Sequence, residues 1–162
     1  MTHTIESLAQ RIQELEDLAA IHTLKHRYWR ACDHKKPDDM RACFTPEAQI
    51  DAAFMGVHDG RDSFVNLFSM IACNDQILDM HHGQNPVIRL DGPDKARGTW
   101  DLYFNQINLM ARSVAQVGGF YEDDYVKVDG QWLIAASTFR VTSTLMLAVD
   151  DEGGLKTTMF GR

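Results

Sequence analysis

Two side-chain types in this 162-residue chain could share acid–base chemistry. One is a carboxylate near the end of an early helical stretch; the other is a histidine in a later strand. Asp33 sits in Tyr28-Trp29-Arg30-Ala31-Cys32-Asp33-His34-Lys35-Lys36. A carboxylate there meets the negative end of a helix dipole, which disfavours it. It is either a solvated acid neutralised by Lys35 and Lys36 or a carboxylate that supports a neighbouring base. His81-His82 offers the base. Neighbours in a strand point to opposite faces, so at most one of the two enters a pocket. Histidine paired with a carboxylate is a common general base, because imidazole titrates near working pH. Alone, such a histidine is a structural hydrogen-bonder. Tyr28 lies five residues before Asp33, roughly 140° around the helix at about 100° per residue. The two reach one pocket only if the helix end lies across its mouth.

His22 and His26 have the spacing for a shared metal, but no H-E-x-x-H and no third ligand accompany them, so no metal is expected. Gly118-Gly119 interrupts a strand-like run and predicts a bulge that bends the sheet. G-x-G-x-x-G, P-loop and G-x-S-x-G patterns are missing from the sequence, which leaves nucleotide cofactors and a serine-hydrolase elbow without support.

The elements that must position these residues divide into helices first and strands afterwards. Leu8, Ile12, Leu15, Leu18 and Ile21 recur at helical steps, extended by Leu24, Tyr28 and Cys32, and predict a long helix with one buried stripe. A short helix is expected from Pro37, with Met40, Cys43 and Phe44 inward, ending at Thr45-Pro46. A first strand is expected over 48–57, closed by His58-Asp59-Gly60. A third helix follows over 61–73, with Phe64, Leu67, Phe68 and Ile71 inward. Turn signals at Leu90-Asp91-Gly92-Pro93-Asp94 and Val128-Asp129-Gly130 then separate long strands over 95–108, 112–128 and 131–147. This order predicts one α+β domain over 1–162, a curved antiparallel sheet wrapped by the N-terminal helices into a cone around a deep, mostly apolar pocket. Residues 149–162, after the flexible Asp150-Asp151-Glu152-Gly153-Gly154 turn, are expected to be a tail or a flap over the pocket mouth or a neighbouring subunit rather than part of the sheet.

The net charge is −7, from 16 Lys and Arg against 23 Asp and Glu. No basic run offers a nucleic-acid surface, and no apolar stretch approaches the roughly 20 residues of a membrane helix. The acidic, amphipathic start MTHTIESLAQRIQELED lacks the layout of a signal peptide. Three cysteines without a C-x-x-C pair are expected to be reduced, in a cytoplasmic protein.

From about residue 14 to 147 the chain resembles the SnoaL-like branch of the nuclear-transport-factor-2-like superfamily. The resemblance rests on the helix ending Tyr28-x-x-x-x-Asp33 and the strand Met80-His81-His82-Gly83-Gln84-Asn85-Pro86-Val87-Ile88. It continues in Asp91-Gly92-x-x-Lys95-Ala96-Arg97-Gly98 and the late Asp129-Gly130-x-Trp132 turn. In pattern it is nearest to the cofactor-free lyases of that family: bile acid 7α-dehydratase, scytalone dehydratase and hexachlorocyclohexane dehydrochlorinase. It implies that His81 is the base, Asp33 its partner and Tyr28 a donor to the leaving oxygen. Arg140 matches a basic residue on the last strand, with its facing left open by strand parity, and Trp100 and Phe54 are expected to contact substrate. The expected activity is cofactor-independent elimination, such as dehydration, from a hydrophobic ring-bearing molecule, a steroid or an aromatic compound. An isomerase or cyclase using the same pair, a noncatalytic binder and a dioxygenase β-subunit-like protein are the alternatives. The outer face of the long sheet carries more apolar surface than three helices can cover, which predicts a homo-oligomer; the resemblance implies a trimer in preference to a dimer.

Overall fold

The structure, a computed structural model, describes residues 4–162. Helix α1 (Ile5–Asp33) opens on Thr4, whose hydroxyl caps the Ser7 N–H at 3.2 Å. Its second half buries Ile21, Leu24, Tyr28, Trp29 and Cys32. The expected stripe fails nearer the start: Leu8, Ile12 and Leu15 are 44%, 56% and 66% exposed. The apolar period is real, but no other part of the described chain covers it. Helix α2 (Pro37–Arg41) carries Pro at its first turn, as its fixed φ favours, and buries Met40.

Strand β1 (Phe44–Asp51) begins four residues earlier than expected. Parallel pairing to a later strand draws Phe44 into the sheet, and the register shift between Phe44 and Gln49 accommodates Pro46, which has no N–H to give. A 3-10 turn (Ala53–Met55) and strand β2 (Val57–Asp59) lead into α3 (Arg61–Ala72). Four long strands follow: β3 (Ile77–Leu90), β4 (Lys95–Asn108), β5 (Ser113–Val128) and β6 (Gln131–Val149). They pair antiparallel, and the whole sheet runs β2-β1-β6-β5-β4-β3. A register shift falls opposite Gly118-Gly119, but the extra residue is Thr142 of β6, so the bulge sits on the strand paired to the glycines. A Cβ at Gly119 would lie 2.3 Å from the Arg140 carbonyl, so this bend admits no larger residue.

The chain end departs from the expectation in one respect: it joins the sheet. Leu155–Gly161 forms β7, antiparallel to the last part of β6. β1 pairs with β6 only as far as Thr138, which leaves the far end of that 19-residue strand unpaired. β7 takes this free edge, and every one of its residues is exposed.

Helix α1 lies across one face of the sheet. Register places His81, Phe104, Val117 and Thr144 side by side on that face, together with Trp100, Tyr121 and Phe139 further along. The space between is packed. Lys25 on α1 pairs with Asp123 at 2.7 Å, both side chains fully buried. Asp123 also accepts from Ser137 and Tyr125, each at 2.7 Å, and Tyr125 accepts from Trp100 at 2.8 Å. The Lys25 ammonium stands 3.6 Å from the Tyr121 ring centroid. Burial pulls the Lys25 ammonium down and Asp123 opposes it. Where a deep apolar pocket was expected beneath the helix, a polar network and aromatic rings fill the volume. Cys32, Cys43 and Cys73 are unpaired. No described helix is long and apolar enough to cross a membrane.

Candidate active site

The end of α1 sets the geometry. Lys36 N–H bonds the Ala31 carbonyl at 2.9 Å and Lys35 N–H the Cys32 carbonyl at 3.2 Å, with Lys35 at φ 56°. This is a Schellman closure with Lys35 in the left-handed position. Asp33 is therefore the last helical residue, held where the helix meets the edge strand β3. An edge strand has unpaired backbone donors, and Asp33 uses one: its Oδ2 accepts the His81 backbone N–H at 3.2 Å. Its Oδ1 meets His81 Nδ1 at 2.6 Å. An ionised carboxylate only accepts, so Nδ1 carries the proton and the lone pair of a neutral ring sits on Nε2. The ring is also held by Phe104, directly opposite in register, at 4.7 Å between centroids. Both side chains are mostly but not wholly buried. Nε2 has no hydrogen-bond partner among the described residues.

The pair lines a cleft of about 330 Å³ at the seam of α1 and β3, completed by His26, Trp29, Arg30, His34, His82 and Gly83. Gly83 is required there. The Trp29 ring lies so close that a Cβ at position 83 would be 1.8 Å from it. The cleft is polar and open rather than deep and apolar. It lies beside the filled interior, not inside it.

Of the residues expected to act together, the structure joins Asp33 and His81 and leaves the others apart. Tyr28 is in the core, against Phe44 and Tyr121. Burial and the neighbouring Tyr121 push its phenol well above its ordinary range, and it does not line the cleft. Trp100 is a buried core residue bonded to Tyr125. Phe54 is two-thirds exposed on the turn after β1. Arg140 stands opposite Phe120, one residue from the inward Tyr121, so parity turns it to the outer face, where it meets Glu122 and Asp51 at 3.4 and 3.5 Å. His82 points away from His81, as strand alternation requires. His22 and His26 rings are edge to face, 6.3 Å apart, and among the described residues no group of three ligands could hold a metal ion. Lys35 neutralises Asp79 rather than Asp33. Sequence reasoning missed Phe104 and Asp79; the alternation Asp79-x-His81 and the pairing of β3 with β4 were the signals that could have found them.

A long helix laid across a curved antiparallel sheet carries this polar seam at its C-terminal end. A model of the SnoaL-like domain matches residues 13–138, and the chain belongs to this family. An uncharacterized protein of Mycobacterium tuberculosis is 27% identical over 125 residues, which span 76% of this chain and 84% of that one. Among solved structures, a candidate scytalone dehydratase from Novosphingobium aromaticivorans aligns with a TM-score of 0.76 at 23% identity, covering 83% of this chain and 89% of its own. A hexachlorocyclohexane dehydrochlorinase from Novosphingobium barchaimii aligns with a TM-score of 0.73 at 16% identity, covering 91% and 93%. At these identities the likeness to solved structures is one of fold.

Proposed function

We propose that the protein is a cofactor-independent lyase for a ring-bearing small molecule, with His81 as general base and Asp33 as its partner. One observation carries this: Asp33 holds both the Nδ1 side and the backbone N–H of His81, leaving Nε2 unpaired in a residue that lines a cleft. The Nε2 lone pair takes a proton from a carbon next to a carbonyl. The electrons of that C–H bond form the new double bond as the neighbouring C–O bond breaks. The imidazolium, stabilised by Asp33, returns the proton to the departing oxygen, which leaves as water. A leaving halide requires no such return. Tyr28 takes no step in this scheme, because its hydroxyl lies in the packed core. The similar folds named as a dehydratase and a dehydrochlorinase support elimination as the reaction class.

The cleft volume is at the small end of the range of about 300–1,000 Å³ typical of small-molecule sites. A one- or two-ring compound, or one end of a larger one, suits it. A mass-resolved screen over hydroxylated aromatics and hydroxysteroids tests the proposal. Loss of water or of an acid from at least one class is the expected result, and isomerisation without loss of mass would replace the lyase reading.

The proposal includes a homo-oligomer, a trimer in preference to a dimer. Leu78, Ile107, Val114 and Leu147 form one apolar row across four strands on the face away from α1. Contiguous apolar surface of this kind marks association. Light scattering at micromolar concentration should give a mass above the monomer, and a monomeric mass would refute it.

A further inference from the structure

We infer that Lys35 and Asp79 are positioning residues for the Asp33–His81 pair, an inference that rests on reading His81 as the base. The helix end and the edge strand meet through two rungs spaced alike on both sides. Asp33 and Lys35 are two residues apart, around the left-handed turn that closes α1. Asp79 and His81 are two residues apart on β3 and so share a face. Asp33 pairs with His81 and Lys35 with Asp79. Each rung is backed from β4 by the residue directly opposite: Phe104 against His81, Gln106 against Asp79. Gln106 Nε2 donates to Asp79 Oδ1 at 2.9 Å, so both oxygens of a carboxylate that is only 4% exposed are engaged.

The arrangement solves a specific problem. A single contact at the last residue of a helix lets the helix end turn or slide, and the Nδ1 bond tolerates little of either. A second tie one rung away removes that freedom. It also settles the charge. Asp79 is the second carboxylate on the His81 side of the strand, and without Lys35 it would be a buried, uncompensated anion competing with Asp33 for the imidazole. The other titratable groups at the seam are His26 and Arg30 from α1, His34 at its C-cap, His82 on the opposite face of β3, and Cys73 after α3, whose thiol burial pushes up. None of these is bonded to Asp79. Lys35 holds its left-handed φ without being glycine or asparagine, a conformation that costs a side-chain-bearing residue energy. The ion pair offsets that cost.

Amide hydrogen exchange at His81 tests this without a substrate, because that N–H is bonded to Asp33 Oδ2. In Lys35→Met the His81 amide should exchange about tenfold faster or more, while the Val117 amide in mid-sheet keeps its rate. Lys35→Arg should restore protection. On a substrate turned over by the wild type, Lys35→Met should lower kcat with KM little changed. Unchanged His81 exchange in Lys35→Met overturns the inference, as does failure of Lys35→Arg to rescue. If Lys35→Met does not fold, the charge-neutral Lys35→Met/Asp79→Asn pair takes its place, with the same fast exchange expected and wild-type exchange contradicting. A His81 variant that kept full turnover would instead sink the base assignment and leave the exchange result standing.

Discussion

At the residue scale, Asp33 orients an imidazole and then stabilises it when charged. Asp33→Asn can keep the shape but offers an amide where an acceptor-only group stood, so the ring can settle in the wrong tautomer. Turnover should fall by about 10²–10⁴-fold with the fold intact by circular dichroism. Tyr28→Phe is the matched contrast. Its hydroxyl lies among core groups and outside the cleft, so turnover should stay within a few-fold of wild type while stability drops measurably. A loss in Tyr28→Phe as large as in Asp33→Asn would restore the tyrosine to the chemistry. Asp33 and His81 were legible because a histidine with a carboxylate is a common general base and their surrounding motifs resemble a family pattern. Arg140 was not: its facing depends on one bulge in its own strand, at Thr142 opposite Gly118-Gly119, and a single extra residue flips every side chain beyond it.

At the element scale, the C-terminal half of α1 and strand β3 form one unit, joined by the Asp33 and Lys35 rungs and by Trp29 against Gly83. Gly83→Ala tests the contact. The added methyl would lie within the ring of Trp29, so either the helix moves off the strand or the ring leaves its place against Trp100. Urea unfolding should show a loss of about 1–3 kcal/mol or more, with a shift in tryptophan emission. An unchanged midpoint would mean that the helix–strand contact is loose. The long strands were legible from their turn signals, and β4 spans 95–108 as the sequence predicts. β7 was not legible. Its residues neither alternate nor bury, and what calls it into the sheet is the unpaired end of β6, a fact set by where β1 stops. The exposed start of α1 fails for a related reason, since periodicity shows that a face is apolar but not what covers it.

At the scale of the molecule, long-range polar ties lock α1 to the sheet. Asp17, early on the helix, accepts from Trp132 Nε1 at 2.9 Å and meets Lys127 at 2.5 Å. Burial alone would raise its carboxyl, but Lys127 and Trp132 outweigh it and hold the group below its ordinary 3.8. A carboxyl depressed on folding contributes stability above its unfolded value, and that contribution is lost as pH falls through the folded one. Thermal unfolding of Asp17→Asn should therefore show a lower midpoint near neutrality, a gap from wild type that closes below about pH 4. A gap that persists at low pH would show that packing, not charge, is what the substitution removes. The polar lock also explains why the Asp33–His81 cleft is lateral: Lys25, Asp123 and their aromatic neighbours occupy the space beneath the helix, and the pair is left at the seam. In that seam His81 is the proposed base. The most direct test is single-turnover chemistry of His81→Ala beside wild type, on the first compound from which the wild type eliminates. The rate of proton loss from carbon should collapse by at least about 10²-fold while the compound still binds. Proton loss at the wild-type rate in His81→Ala would remove His81 from the chemistry.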